Sequence, residues 1–195
     1  MKIARPQRQP YKTLASIALV LALAACASGP TVVESDLGMK GVPDWVNKGT
    51  SVLNDRDGRL FHGVGSSPAM GDESLQRSTA DDRARAEVAR ILSTFMDVIG
   101  NDYVAATGTG ANASAEQAVS RQIKAVTKQN LSGSKIIGRW KDAKTNVVWS
   151  ISELDLKQVK TTTQGSKDMN DDLRRYIDRN AENIFDRVSA QGSKK

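Results

Sequence analysis

The strongest constraint on the fold is a helical repeat of apolar residues between Ser74 and Ile99. Its members recur at intervals of three and four residues and are Ala84, Val88, Ile91, Phe95 and Val98, flanked by Leu92 and Ile99. The repeat predicts a helix about 35–40 Å long with one apolar face. Asp81 and Arg85 are spaced for an ion pair on its exposed side. Because only a sheet or a partner helix can cover so long an apolar face, we expect a layered fold.

A strand is predicted immediately before this helix, from Leu60 to Gly65. Its Gly63-Val64-Gly65 segment also resembles the start of a dinucleotide-binding loop, but Pro68 stands where the third glycine of that loop belongs. The chain therefore favours a steric role for the glycines. They allow the long helix or a neighbouring strand to approach the backbone closely.

The remaining elements follow from periodicity and turn chemistry. They are a short helix opening at Pro43, a turn at residues 54–58, a loop at residues 107–114, a helical stretch from Ala115 to Asn130, a β-hairpin from Lys135 to Leu154, and a C-terminal amphipathic helix from about Asp168 to Ala190. The stretch from Ala115 to Asn130 has a thin apolar face, so it is either a packed helix or a mobile arm. The whole predicts a mixed α+β chain.

The N-terminus is typical of a lipoprotein signal peptide. Four basic residues precede an apolar run from Leu14 to Ala25, which is too short to cross a membrane as a helix. The run ends in Leu23-Ala24-Ala25-Cys26, the small residues and cysteine that a lipoprotein signal peptidase needs. We therefore predict that Cys26 is lipidated with acyl chains such as palmitate and anchors the chain to a membrane.

Cleavage before Cys26 changes what the composition implies. Residues 1–25 carry four basic and no acidic residues, so their removal lowers the formal net charge from +6 to +2. This argues against a nucleic-acid partner, which needs a concentrated basic surface. Cys26 is the only cysteine, so no disulfide is expected. Ala27 follows the cysteine, and in a two-membrane envelope a residue other than Asp there favours the outer membrane, with the protein facing the periplasm.

The sequence offers little for catalysis, and we predict no enzyme activity, no cofactor and no metal site. His62 is the only histidine. An envelope enzyme would need His62, a carboxylate and a serine to meet in a cleft. We expect His62 to be a strand residue with its ring at the surface. Trp45, Trp140 and Trp149 are candidates for a partner or packing surface, because tryptophan is enriched both in cores and at interaction hot spots.

Four segments together resemble the lipoprotein-20 (Lpp-20-like) family of bacterial outer-membrane lipoproteins. They are the Cys26 lipobox, Pro43-Asp44-Trp45-Val46, Gly63-Val64-Gly65-Ser66-Ser67, and Ala80-Asp-Asp-Arg-Ala-Arg-Ala-Glu-Val-Ala89. The resemblance runs from Pro43 to Leu154. It implies a small three-stranded antiparallel sheet packed on a long helix, similar to dodecin-like folds, with the C-terminal helix added. It also implies an outer-membrane lipoprotein without catalysis, one branch of the family building structures around the flagellum.

These inferences predict a non-catalytic structural or assembly module of flagellar or other envelope structures. It would associate with itself or with envelope proteins. The alternative is a lipoprotein that binds a small apolar ligand in a closed pocket lined by Trp140, Trp149 and Phe95. The expected parts are the signal peptide (1–25), a lipidated tether (26–42), the α/β domain (43–160), and a C-terminal helix and tail (161–195).

Overall fold

The computed structural model describes residues 39–55 and 58–192. Its helices are α1 (Asp44–Lys48), α2 (Glu73–Thr107), α3 (Ala113–Leu131), α4 (Leu156–Gly165) and α5 (Asp171–Gly192), and its strands are β1 (Ser51–Asp55), β2 (Gly58–Ser67), β3 (Lys135–Lys141) and β4 (Val148–Asp155). All strand pairs are antiparallel. The predicted α+β class is confirmed.

The strands lie in the order β1-β2-β4-β3. The three long strands β2, β4 and β3 form the antiparallel sheet that was expected, and the five residues of β1 extend it along the first half of β2. The sequence analysis did not predict β1, because a strand this short contains too little alternation to stand out. The chain reverses between Asp55 and Gly58, as predicted, and Gly58 has a φ of 126° that favours glycine.

The apolar face of α2 packs on the sheet as its repeat predicts. Ala84, Val88 and Leu92 are fully buried, and Ile91 and Val98 are partly buried at the margins of the core. Asp72 caps the helix by accepting hydrogen bonds from the backbone N–H groups of Ser74 and Leu75. The helix thus has a well-defined start and one continuous buried face.

The glycines of β2 set how closely α2 approaches the sheet. A Cβ atom on Gly63 would lie 2.6 Å from the backbone nitrogen of Val88 and would also overlap the carbonyl oxygen of Ala84. A Cβ atom on Gly65 would lie 2.7 Å from the carbonyl carbon of Arg83. No side chain fits at these distances, so the steric interpretation of the Gly-Val-Gly segment is confirmed.

Beyond the predicted end at Ile99, α2 continues to Thr107 and packs against α3. A Cβ atom on Gly100 would lie 3.3 Å from the side chain of Ile123, which shows close helix–helix contact. Val119, Ile123 and Val126 of α3 belong to the main core. The segment from Ala115 to Asn130 is therefore a packed helix, and the alternative of a mobile arm is wrong.

The C-terminal helix α5 completes the same core. Phe185 packs edge-to-face against Phe61 of β2 and Phe95 of α2, with ring centroids 5.1 and 5.9 Å away, and Phe61 and Phe95 are 5.2 Å apart. Leu173 and Ile177 of α5 are also buried. Residue 160, where the α/β domain was expected to end, lies inside α4, and the helix assigned to residues 161–195 shares the core of the preceding elements.

Replacing Gly63 with Ala should destabilise the fold by at least about 2 kcal/mol, because the methyl group must push the α2 backbone away from β2. Chemical denaturation of the full chain, followed by circular dichroism, measures the change. Gly71→Ala is the matched control, since a Cβ atom there meets nothing within 4 Å. Equal unfolding midpoints for the two variants would show that the close contact is not needed.

Candidate functional site

The sheet has an inner face, which packs on α2, and an opposite, outer face. Gly63 and Gly65 face α2, so the alternating residues His62 and Val64 point to the outer face. On β4, Ser150 bonds to Asp81 of α2. Ser150 therefore lies on the inner face. Its neighbours in alternation along β4, Trp149, Ile151 and Glu153, lie on the outer face.

Two of the three candidate tryptophans meet on this outer face. Trp140 and Trp149 are directly opposite each other on β3 and β4, as the predicted hairpin suggested. Both are half-buried, and Ile151, two residues further along β4, is only 4% exposed. Trp45 is half-buried on α1, outside the sheet. We call Val64, Trp140, Trp149 and Ile151 the outer patch.

The pocket expected for a small apolar ligand does not form. Phe95 lies in the core on the inner side of the sheet, with Phe61 and Phe185 around it. Trp140 and Trp149 point to the outer side. The sheet itself separates these side chains, so the three residues do not line a common cavity.

A row of polar residues crosses the outer face. Ser51, His62 and Glu153 are aligned on β1, β2 and β4, and His62 Nε2 lies 2.8 Å from Glu153 Oε2. The His62 side chain is only 13% exposed, so the expectation of a surface ring is wrong. The hydroxyl of Ser51 makes no hydrogen bond to His62 in the described part of the chain. The row is a hydrogen-bonded histidine–glutamate pair beside a serine, without the hydroxyl–imidazole bond that activates a nucleophile.

The two outermost strands, β1 and β3, leave one edge each without a strand partner among the described residues. At the end of β3, Asp142 donates its N–H to the carbonyl of Val147. Along an antiparallel pair, successive residues direct their N–H and C=O groups alternately to the partner strand and away from it. The main chain of Trp140 therefore bonds to β4, and the N–H and C=O groups of Arg139 and Lys141 point to the side of β3 that has no strand partner. A bulge interrupts β3 beside Ile137, whose surface is 50% exposed. The bulge and the lysines at both ends of β3 restrict pairing at this edge, so a further strand has only the free main-chain groups around Arg139 and Lys141 to bond to.

On the inner face, Asp81 joins α2 to both hairpin strands. Its carboxylate accepts two hydrogen bonds from Arg139, at 2.8 and 2.6 Å, and one from Ser150 at 2.7 Å. Burial alone would raise the pKa of Asp81, and this is the largest single effect. The hydrogen bonds from Arg139 and Ser150 and the nearby positive charges together outweigh it and lower the pKa below its ordinary value.

This arrangement replaces the ion pair that sequence spacing predicted between Asp81 and Arg85. The nearest carboxylate to Arg85 is that of Asp82, at 3.6 Å. Asp81 is only 8% exposed, because the close packing of α2 on β2 brings it under the sheet. The prediction was wrong because spacing along one helix does not show what lies across from it.

A second polar region lies where α4 and α5 meet the start of β2. A cleft of about 610 Å³ is lined by charged residues of both signs. Arg59 donates two hydrogen bonds of 2.8 Å to Asp186, and Lys160 donates one of 2.9 Å to Glu182. In each pair the two charges compensate each other, and the pairs hold α5 against β2 and α4. We therefore interpret them as structural contacts.

The described residues also bear on two other possibilities, a metal site and a membrane-spanning helix. Within residues 39–55 and 58–192, no three His, Cys, Asp or Glu side chains are grouped as metal ligands would be. No helix in that part of the chain combines the length and apolar character of a membrane span. Cys26, the predicted lipidation site, lies outside the described residues.

Neither the protein-family models nor the curated proteins contain a match to this chain. The resemblance noted in the sequence therefore stays a prediction.

The low pKa of Asp81 makes a prediction about acid stability. A carboxyl group with a lowered folded-state pKa stabilises the fold above its unfolded pKa of about 3.9, and this contribution is lost as the pH falls through the folded value. Asp81→Asn should therefore lower the unfolding free energy at pH 7 by about 1–3 kcal/mol. Between about pH 5 and 2, the unfolding free energy of the variant should fall less than that of the wild type, because the variant has no carboxylate at this position to protonate.

Urea unfolding across this pH range measures the effect. Asp82→Asn is the control, because its side chain is 74% exposed and its nearest cation is 3.6 Å away. Parallel pH curves for wild type and Asp81→Asn would contradict the role of Asp81.

Proposed function

We propose that this protein is an outer-membrane lipoprotein, anchored through Cys26 and facing the periplasm, that acts as a non-catalytic assembly module. The signal-like N-terminus, the lipobox and Ala27 support the anchor and the location. The resemblance to the lipoprotein-20 family supports an envelope structure as the setting, flagellar or other. The observation that carries the assembly role is the pair of open sheet edges, β1 and β3.

The directions of the strands favour a head-to-tail arrangement of copies. All neighbours in the sheet are antiparallel, so β1 and β3 at its two ends also run in opposite directions. If β3 of one copy pairs with β1 of the next, the antiparallel order continues without a break. Repeating this contact produces a ring or a filament, according to whether the rotation closes.

A symmetric pairing of two β3 strands is less favourable. A two-fold pair centred on Gly138 sets Lys135 of each copy opposite Lys141 of the other. Like charges directly opposite each other in an antiparallel pair are destabilising. The module therefore joins unlike edges, and association does not stop at a dimer.

Cys26→Ser should release the protein from the membrane, because no acyl chain can then be attached. Fractionation of cells expressing the full chain, with detection by antibody, measures this. Ala27→Ser is a control that keeps the cysteine. Unchanged membrane association of Cys26→Ser would refute the anchor.

The head-to-tail contact is tested with cysteines at the two edges, Ser51→Cys on β1 and Ile137→Cys on β3. In a chain carrying both, a short bismaleimide applied to cells should give a ladder of dimers, trimers and larger species. Each single variant should give no ladder, and the two singles expressed together should give only dimers. The native Cys26 does not interfere if it is acylated.

Leu75→Cys on α2 is the control, because Leu75 is 56% exposed and belongs to neither edge strand. A ladder from Leu75→Cys would indicate random collision. Dimers from Ile137→Cys alone would favour the symmetric β3 contact, and monomers throughout would refute edge-to-edge assembly.

A further inference from the structure

A small cleft lies between the first turns of α2 and the end of β3. Its volume is about 250 Å³, and its lining includes Glu73, Gln76, Arg77, Arg139, Lys141 and Val148. Pockets for drug-sized ligands are usually 300–1,000 Å³, so this cleft suits a smaller group. Trp140 also lines the cleft and is the residue that it shares with the outer patch, whereas the charged cleft beside α5 has no lining residue in common with it.

The cleft carries one positive charge that its own residues do not balance. Lys141 Nζ is 2.6 Å from Glu73 Oε1, and Arg77 Nη2 is 4.0 Å from Glu73 Oε2, so two cations share one carboxylate. Arg139 is already paired with Asp81. The Arg77 and Lys141 side chains are 59% and 43% exposed, and an incoming anion can therefore reach them.

Gln76 adds a hydrogen-bond acceptor on the inner side of the cleft. It is only 2% exposed, and its Nε2 donates to the carbonyl of Asn146 at 2.7 Å and to that of Ser67 at 3.3 Å. Its amide oxygen accepts no hydrogen bond from the described residues. These two donated bonds fix the amide orientation, so the oxygen is held in place for an N–H group from outside.

We propose that this cleft binds an N-acylated amino-acid carboxylate, the group found at the C-terminus of a peptide. The carboxylate lies beside Arg77 and Lys141, and its single charge balances the one positive charge that Glu73 leaves uncompensated. The amide N–H donates to the Gln76 oxygen, and a small side chain packs on Val148. The site uses the side chain of Lys141 on the edge strand β3 and not the main-chain groups that would pair with another copy, so it does not depend on the proposed assembly role.

Three small ligands test the two recognition elements separately. N-acetylglycine has both the carboxylate and the N–H, N-acetylsarcosine lacks the N–H, and N-acetylglycinamide lacks the carboxylate. In NMR titrations of the purified full chain, N-acetylglycine should shift the amide signals of Gln76, Arg77 and Lys141 with a Kd of about 1 mM. Each of the other two ligands should bind at least about tenfold more weakly.

Two arginine variants of α2 test the location. Arg77→Gln should weaken N-acetylglycine binding by about tenfold, since it removes one of the two cations at the carboxylate. Arg90→Gln is the matched control, because Arg90 is similarly exposed and its ion pair within the described residues is with Glu87. It should leave the Kd unchanged.

Blocked tripeptides with a free or an amidated C-terminus separate the two sources of such a group. Tighter binding of the free tripeptide than of N-acetylglycine supports a polypeptide terminus. Weaker binding supports a free small molecule of the same chemistry. The proposal is overturned if no saturable shifts appear up to about 20 mM ligand. It is also overturned if acetate or N-acetylsarcosine binds as well as N-acetylglycine, or if Arg77→Gln and Arg90→Gln have equal effects.

Discussion

The close contact between α2 and β2 at Gly63 and Gly65 is the interaction on which the rest of the structure depends. Because these positions have no side chain, the backbone of Ala84 rests directly on the sheet. That contact fixes the height and rotation of the helix. One turn earlier, it brings Asp81 under Arg139 and Ser150, and near the start of the helix it brings Gln76 to Asn146. A helix held further away would reach none of these partners.

Ion pairs over long sequence distances then hold the elements around this contact. Asp81 and Arg139 join α2 to β3, Arg59 and Asp186 join β2 to α5, and Lys160 and Glu182 join α4 to α5. Individually, exposed pairs of this kind contribute little, but Asp81 is buried and its pair is bidentate. The result is a sheet whose inner face is fixed at both ends, while its outer strands β1 and β3 have no further strand partner among the described residues.

The sequence was informative where the signal is local and periodic. The long repeat predicted α2, the alternation and polar turn predicted the β3–β4 hairpin, and the charged, striped C-terminus predicted α5. The elements β1 and α4 were missed, because β1 is only five residues long and the run Thr161-Thr162-Thr163 in α4 has low helix propensity. The site residues were harder still. Ser51, His62 and Glu153 share a row only because of the order of the strands. Gln76 and Asp81 are buried only because α2 lies so close to the sheet. Neither the strand order nor this distance can be inferred from neighbouring residues in the sequence.

The aromatic contact of Phe185 with Phe61 and Phe95 has a consequence for how the chain matures. The helix α5 supplies one wall of the core and follows β2 and α2 along the chain, so a growing chain that has not yet reached α5 exposes the apolar surfaces of β2 and α2. Such a chain cannot complete its native packing until α5 has been added. For the export that the proposed signal peptide would direct, this delay keeps the polypeptide incompletely folded. The same helix that closes the core thus also sets the time at which folding becomes complete.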